Sequence, residues 1–112
     1  MELKVKVWIE RDGALCFGRG RAQLLDAIAQ TGSISAAARK IGMSYRHAWT
    51  MLRASERRLG GQLAQRVRGG SGGGGARLTP WGTALLEGFR TVESAFLTLA
   101  REKQHEVEAL GG

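Results

Sequence analysis

Cysteine, proline and acidic residues are all scarce in this chain. Cys16 is the only cysteine among 112 residues, so no intrachain disulfide can form and the expected setting is a reducing compartment, the cytoplasm. One cysteine and two histidines, His47 and His105, give no zinc-ligand spacing, and neither a metal nor another cofactor is expected. No acid lies near His47 to orient it, and the two histidines are far apart, so the chain is not expected to be an enzyme. The phosphate-loop pattern Gly-x-x-x-x-Gly-Lys-Ser/Thr is missing too; Ala76-Arg77-Leu78-Thr79 follows the glycines instead. No apolar run nears the length of a membrane span. The first ten residues alternate apolar and charged side chains, unlike the continuous apolar core of a signal peptide. No membrane partner is expected.

The composition has two excesses. Between Arg39 and Arg77 stand nine basic residues and a single acid, Glu56, whereas the rest of the chain is nearly balanced; the net charge is +7. A block of this kind is the electrostatic footprint of a nucleic-acid binder. The second excess is glycine, which fills six of the seven positions 69–75, with arginines on both sides. Such a run cannot hold a helix or pack a core, but it can lie against a phosphate backbone with no Cβ in the way. Glycine-rich segments also serve as plain linkers. This one follows a helix-turn-helix pattern, where a DNA-binding wing would stand.

The length suits one domain with a modest core. Leu3, Val5, Val7 and Ile9 share one face at period two, opposite Lys4, Lys6 and Trp8. Asp12-Gly13 signals a tight turn and 14–17 can return as a strand, so residues 1–18 read as an N-terminal hairpin. Leu24, Leu25, Ile28 and Ala29 repeat at helical spacing across 20–30, and Thr31-Gly32 stops that helix. Ser33 caps a short helix, 34–40; Ile41-Gly42-Met43 makes the next turn; Ser44 caps a longer helix ending near Leu59. Two helices joined by so short a glycine-containing turn make a helix-turn-helix at 33–59, within a three-helix stretch 20–59. Strands at 63–68 and 76–79 flank the glycines in a wing, 62–79. Pro80, the only proline, suits the first turn of a last helix, 80–110, capped by Thr79. Residues 1–112 thus form a single domain, mainly α with small β hairpins: a winged helix-turn-helix with a long C-terminal dimerisation helix. In that helix Leu85, Phe89, Val92, Phe96 and Leu99 form a 4-3-4-3 seam; packing within the chain can cover part of it, and a homodimer interface is the preferred reading.

In the 44–59 helix, Ala48, Leu52, Ser55 and Leu59 make a core stripe. Tyr45, Arg46, Trp49, Thr50, Arg53 and Arg57 lie opposite, with Tyr45, Trp49 and Arg53 in one column. An arginine there can donate two parallel hydrogen bonds to guanine O6 and N7, worth about 1–3 kcal/mol of discrimination. The sequence leaves Arg46 and Arg53 open between base and phosphate, and gives Arg57 and Arg58 phosphate or nothing. Thr50 and the aromatics can meet a thymine methyl. Trp49 can contact DNA or pack on the preceding helix or the wing, and packing is preferred. Ser33, Ser35 and Ser44, near helix N-termini, can serve phosphates as well as caps. Arg66, Arg68 and Arg77, with Gly70 and Gly73, would reach phosphates or a minor groove.

The run Thr-Gly-Ser-Ile-Ser-Ala-Ala-Ala-Arg-Lys-Ile-Gly-Met-Ser-Tyr-Arg-His-Ala-Trp at 31–49, followed by Gly-Gly-Ser-Gly-Gly-Gly-Gly-Ala-Arg-Leu-Thr-Pro-Trp-Gly at 69–82, resembles the N-terminal winged-helix domain of ModE-type molybdenum-dependent transcriptional regulators. The Ser-Ile-Ser-Ala-Ala-Ala part is also similar to LysR-type regulators. The resemblance implies a homodimer on a palindromic double-stranded DNA operator, controlling molybdate uptake or molybdenum-enzyme genes. Such regulators sense molybdate through a C-terminal domain, for which these 112 residues leave no room, so no molybdate site is expected within this chain. A heteromeric regulator partner could supply sensing. The alternatives are an interaction module that dimerises with and modulates a full-length regulator, and a nonspecific nucleoid-type DNA binder.

Overall fold

The computed structural model describes residues 1–68 and 75–112; Gly70 and Gly73, expected at the DNA backbone, lie outside the described residues. The chain runs through β1 (Trp8–Arg11), β2 (Ala14–Gly18), α1 (Arg19–Thr31), α2 (Ile34–Ile41), α3 (Tyr45–Leu59), β3 (Ala64–Val67), β4 (Gly75–Leu78) and α4 (Pro80–Leu110). Each strand pair is an antiparallel two-stranded sheet. This is a winged helix-turn-helix with a long last helix.

Local chemistry sets most of the boundaries. Asp12 (φ 52°) and Gly13 (φ 79°) both take positive φ, as a two-residue hairpin turn requires. Ser33, Ser44 and Thr79 cap α2, α3 and α4, their hydroxyl oxygens accepting from the N–H groups of Ala36, His47 and Gly82. Each cap satisfies one of the donors that a helix start leaves without an intrahelical partner. Gly42 ends α2 at φ 77°, and its left-handed backbone turns the chain sharply into α3. A side chain there would be strained by about 1–2 kcal/mol.

The core gathers around α1, which packs on α2, α4, β2 and β4. Phe17, Leu24, Leu25, Ile28, Ala37, Ala48, Leu52, Leu63, Leu86 and Phe89 are its buried members. Phe17 and Phe89 meet edge-to-face, with ring centroids 5.3 Å apart. The start of α4 is fastened to the chain before β3. Thr79 Oγ1 donates to the Gln62 carbonyl at 2.7 Å, and Thr79 N–H donates to that of Leu63 at 2.9 Å. The backbones come so close here that a Cβ on Gly82 would lie 2.1 Å from the Leu63 oxygen.

The N-terminal hairpin is shorter than the 1–18 read from sequence. Its first strand starts only at Trp8, opposite Gly18, because β2 gives way to α1 at Arg19 and no strand remains to pair with residues 1–7. That segment lies beside the far part of α4 instead. Leu3 N–H donates to Gln104 Oε1 and Gln104 Nε2 donates to the Met1 carbonyl, both at 2.8 Å. The period-two pattern there belongs to a segment with one side against a helix.

Candidate nucleic-acid interface

The second helix of the pair, α3, presents two faces. Ala48, Leu52 and Ser55 are buried, as the core stripe requires, while Leu59 is half-buried. Tyr45, Arg46, Thr50, Arg53 and Arg57 are exposed. Thr50 Oγ1 donates to the Arg46 carbonyl at 3.0 Å, which ties the hydroxyl to its own helix. Ser35 is exposed in the first turn of α2, whereas Ser33 is half-buried.

Trp49 settles into packing. Tyr45 meets it edge-on at 6.2 Å, and two guanidinium groups stand over its ring: Arg53 at 4.9 Å and Arg66 of β3 at 4.8 Å. Such contacts contribute about 0.5–1 kcal/mol each at exposed sites. Arg66 Nη2 also reaches within 3.5 Å of the Tyr45 hydroxyl. The indole Nε1 is buried without a hydrogen-bond partner among the described residues. Arg53 Nη1 also stands 3.8 Å from Glu56 Oε1, three residues further along the same helix. The other oxygen of Glu56 accepts from Leu63 N–H at 2.8 Å and from Ala64 N–H at 3.4 Å, so this buried carboxylate holds the entry to β3. Sequence reasoning gave Glu56 no role. Its only signal was to be the single acid of the basic block.

The wing meets this face through Arg66. Gln65 pairs with Arg77 and Arg66 with Ala76 in the β3–β4 ladder, and Ala76 N–H donates to the Gly32 carbonyl at 2.8 Å. This last bond docks β4 on the α1–α2 junction. Arg66, Arg68 and Arg77 are exposed, and Arg66 is the one bound to α3 through Trp49. Arg58 serves the fold instead. It donates to the Leu15 carbonyl, and Arg11 donates to that of Leu59 at 2.9 Å, so the N-terminal hairpin clamps the C-terminus of α3. Nearby, Arg21 donates to Ser55 Oγ at 2.6 Å. Burial, then the charge of Arg58, holds the Arg21 pKa below its ordinary value.

A helix-turn-helix followed by a basic wing is the arrangement that a family model describes. The model for "Bacterial regulatory helix-turn-helix protein, lysR family" matches residues 20–83, more than half of the chain. The chain belongs to this lysR-type family. The chain is 43% identical over 93 residues to the molybdenum-pterin-binding protein MopB of Rhodobacter capsulatus, covering 83% of this chain and 34% of that protein. It is 42% identical over 92 residues to the molybdenum transport protein ModE of Herbaspirillum seropedicae, covering 80% and 34%. The chain thus spans about a third of the length of the curated relatives it matches. Among solved structures, the DNA-binding domain of CbnR in complex with DNA aligns with a TM-score of 0.57 at 27% identity, over 83% of this chain and 97% of that one. The LysR family transcriptional regulator CbnR aligns at a TM-score of 0.59 and 28% identity, over 75% and 28%.

The lysR-type match ends just inside α4, and that helix corrects one expectation. Phe89, placed in an intermolecular seam with Leu85, Val92, Phe96 and Leu99, is 2% exposed and packs on Phe17 in the chain's own core. Leu85 is half-buried against the same core. The reason is tertiary: the end of β2 delivers Phe17 to that turn of the helix. Val92, Phe96 and Leu99 stay 47–48% exposed, so the open part of the seam begins beyond Phe89. Among the described residues no group of three or more His, Cys, Asp or Glu is placed to hold a metal ion, and no helix is long and apolar enough to cross a membrane.

Proposed function

We propose that this lysR-type DNA-binding regulator acts as a cytoplasmic homodimer on a palindromic operator of molybdate-uptake or molybdenum-enzyme genes. In this reading α3 enters the major groove, the 66–77 wing lies on the backbone or minor groove, and Ser35 joins them at phosphates. The open stripe Val92, Phe96 and Leu99 of α4 pairs the two copies. One observation carries the reading: Tyr45, Arg46 and Thr50 stand exposed on one helix face, and the wing arginine Arg66 is held against that face. The molybdenum assignment rests on the names of the relatives.

The test is fluorescence anisotropy on a palindromic duplex from a molybdate-uptake promoter and on a shuffled control, across a salt series. The expected result is operator binding about 10³-fold or more tighter than the control, falling with a log–log salt slope near −0.9 per phosphate neutralised. Equal, salt-sensitive binding to both duplexes would replace this reading by a nonspecific DNA binder. The stripe on α4 also favours a second reading, a module that dimerises with and modulates a longer regulator. That protein would bind little DNA at physiological salt and would form a mixed complex.

A further inference from the structure

Trp49 sits half-buried in the middle of a face otherwise given to exposed polar and basic side chains. Its ring gathers a charge from the recognition helix and a charge from the wing, both within 4.9 Å of one ring centre. The ring quadrupole attracts each guanidinium group and so holds both at one place on the surface. Glu56 lies 3.8 Å from Arg53, but its other oxygen is committed to the N–H groups of Leu63 and Ala64. Both arginines are exposed, so their charges face solvent where a phosphate can approach. Arg53, moreover, is folded back over the preceding turn of its own helix, a posture that shortens its reach toward a base edge.

We infer that Trp49 is a positioning residue that gathers Arg53 and Arg66 into one cationic unit for a single stretch of DNA backbone. Arg53 then serves phosphates, and base reading on α3 falls to Arg46 and its neighbours. The inference rests on the DNA-binding reading above and deepens it: the ring adds a side-chain link between helix and wing, at the exposed face, before DNA arrives.

The test measures binding of the wild type, Trp49→Leu, Arg66→Ala and the double variant to the operator and shuffled duplexes across a salt series. Loss of the gathered pair in Trp49→Leu is expected to weaken binding about tenfold, by the same factor on both duplexes. Adding Arg66→Ala should then cost less than about twofold more, because coupled residues are non-additive. The salt slope should flatten by about one phosphate, and Trp49→Phe, which keeps an aromatic face, should restore most of the affinity. If Trp49→Leu does not fold, the exposed pair Arg53→Ala and Arg66→Ala decides, with sub-additive losses expected. Additive losses, or a loss confined to the operator, overturn the inference while leaving the DNA-binding reading intact. A wild type that binds neither duplex overturns both.

Discussion

At the scale of single residues, Arg46 and Arg53 are alike in sequence and unlike in place. Both are exposed on α3, but Arg53 is stacked on Trp49 and faces Glu56. Arg46→Ala is therefore expected to weaken operator binding by about 1–3 kcal/mol, the worth of a bidentate base contact, with little change on the shuffled duplex. Anisotropy on the two duplexes checks this, and equal losses would assign Arg46 to phosphate as well. None of this division was legible beforehand. The column Tyr45, Trp49, Arg53 follows from helical spacing alone, so it could be written down from sequence. Arg66 arrives from a strand after α3 has ended, and no local pattern announces that it closes on the same ring. Glu56 was conspicuous as the one acid of the block, yet its partners, Leu63 and Ala64, come from beyond the helix.

At the scale of elements, starts and stops were readable because the chemistry that fixes them is local. Ser33, Ser44 and Thr79 cap where hydroxyl residues precede helical patterns, and Gly32, Gly42 and Gly60 close the helices that they follow. What sequence could not supply was which neighbour each element leans on. Residues 1–7 carry the alternation of a strand, but they find α4 in place of a strand partner. The approach of α4 to the chain before β3 gives a sharp test. Gly82→Ala would gain about 1 kcal/mol in helix propensity, but its Cβ would meet a backbone carbonyl that cannot swing aside. A net loss of about 1–3 kcal/mol is expected from the overpacking, measured as a lower midpoint in thermal or urea unfolding. An unchanged or higher midpoint would mean that α4 can lift off Leu63 freely.

At the scale of the whole molecule, α4 dominates. Its 31 residues run about 46 Å at 1.5 Å per residue, and the molecule measures 60 × 30 × 22 Å. The heptad seam was legible as a single stripe, and the fold divides it: Leu85 and Phe89 turn to the core, while Val92, Phe96 and Leu99 remain open. If α4 pairs two copies as proposed, Phe96→Lys is expected to leave the unfolding midpoint nearly unchanged and to yield a monomer in sedimentation where the wild type is a dimer. Affinity for the palindrome should fall while weak binding to a half-site persists. A variant that stays dimeric would place the contact between copies elsewhere. The long helix also returns the chain to its origin: Gln104 holds Met1 and Leu3, and a Cβ on Gly111 would stand 3.1 Å from the Met1 side chain. Residues 1–3 therefore brace the outer turns of α4, a helix end of the kind that otherwise frays.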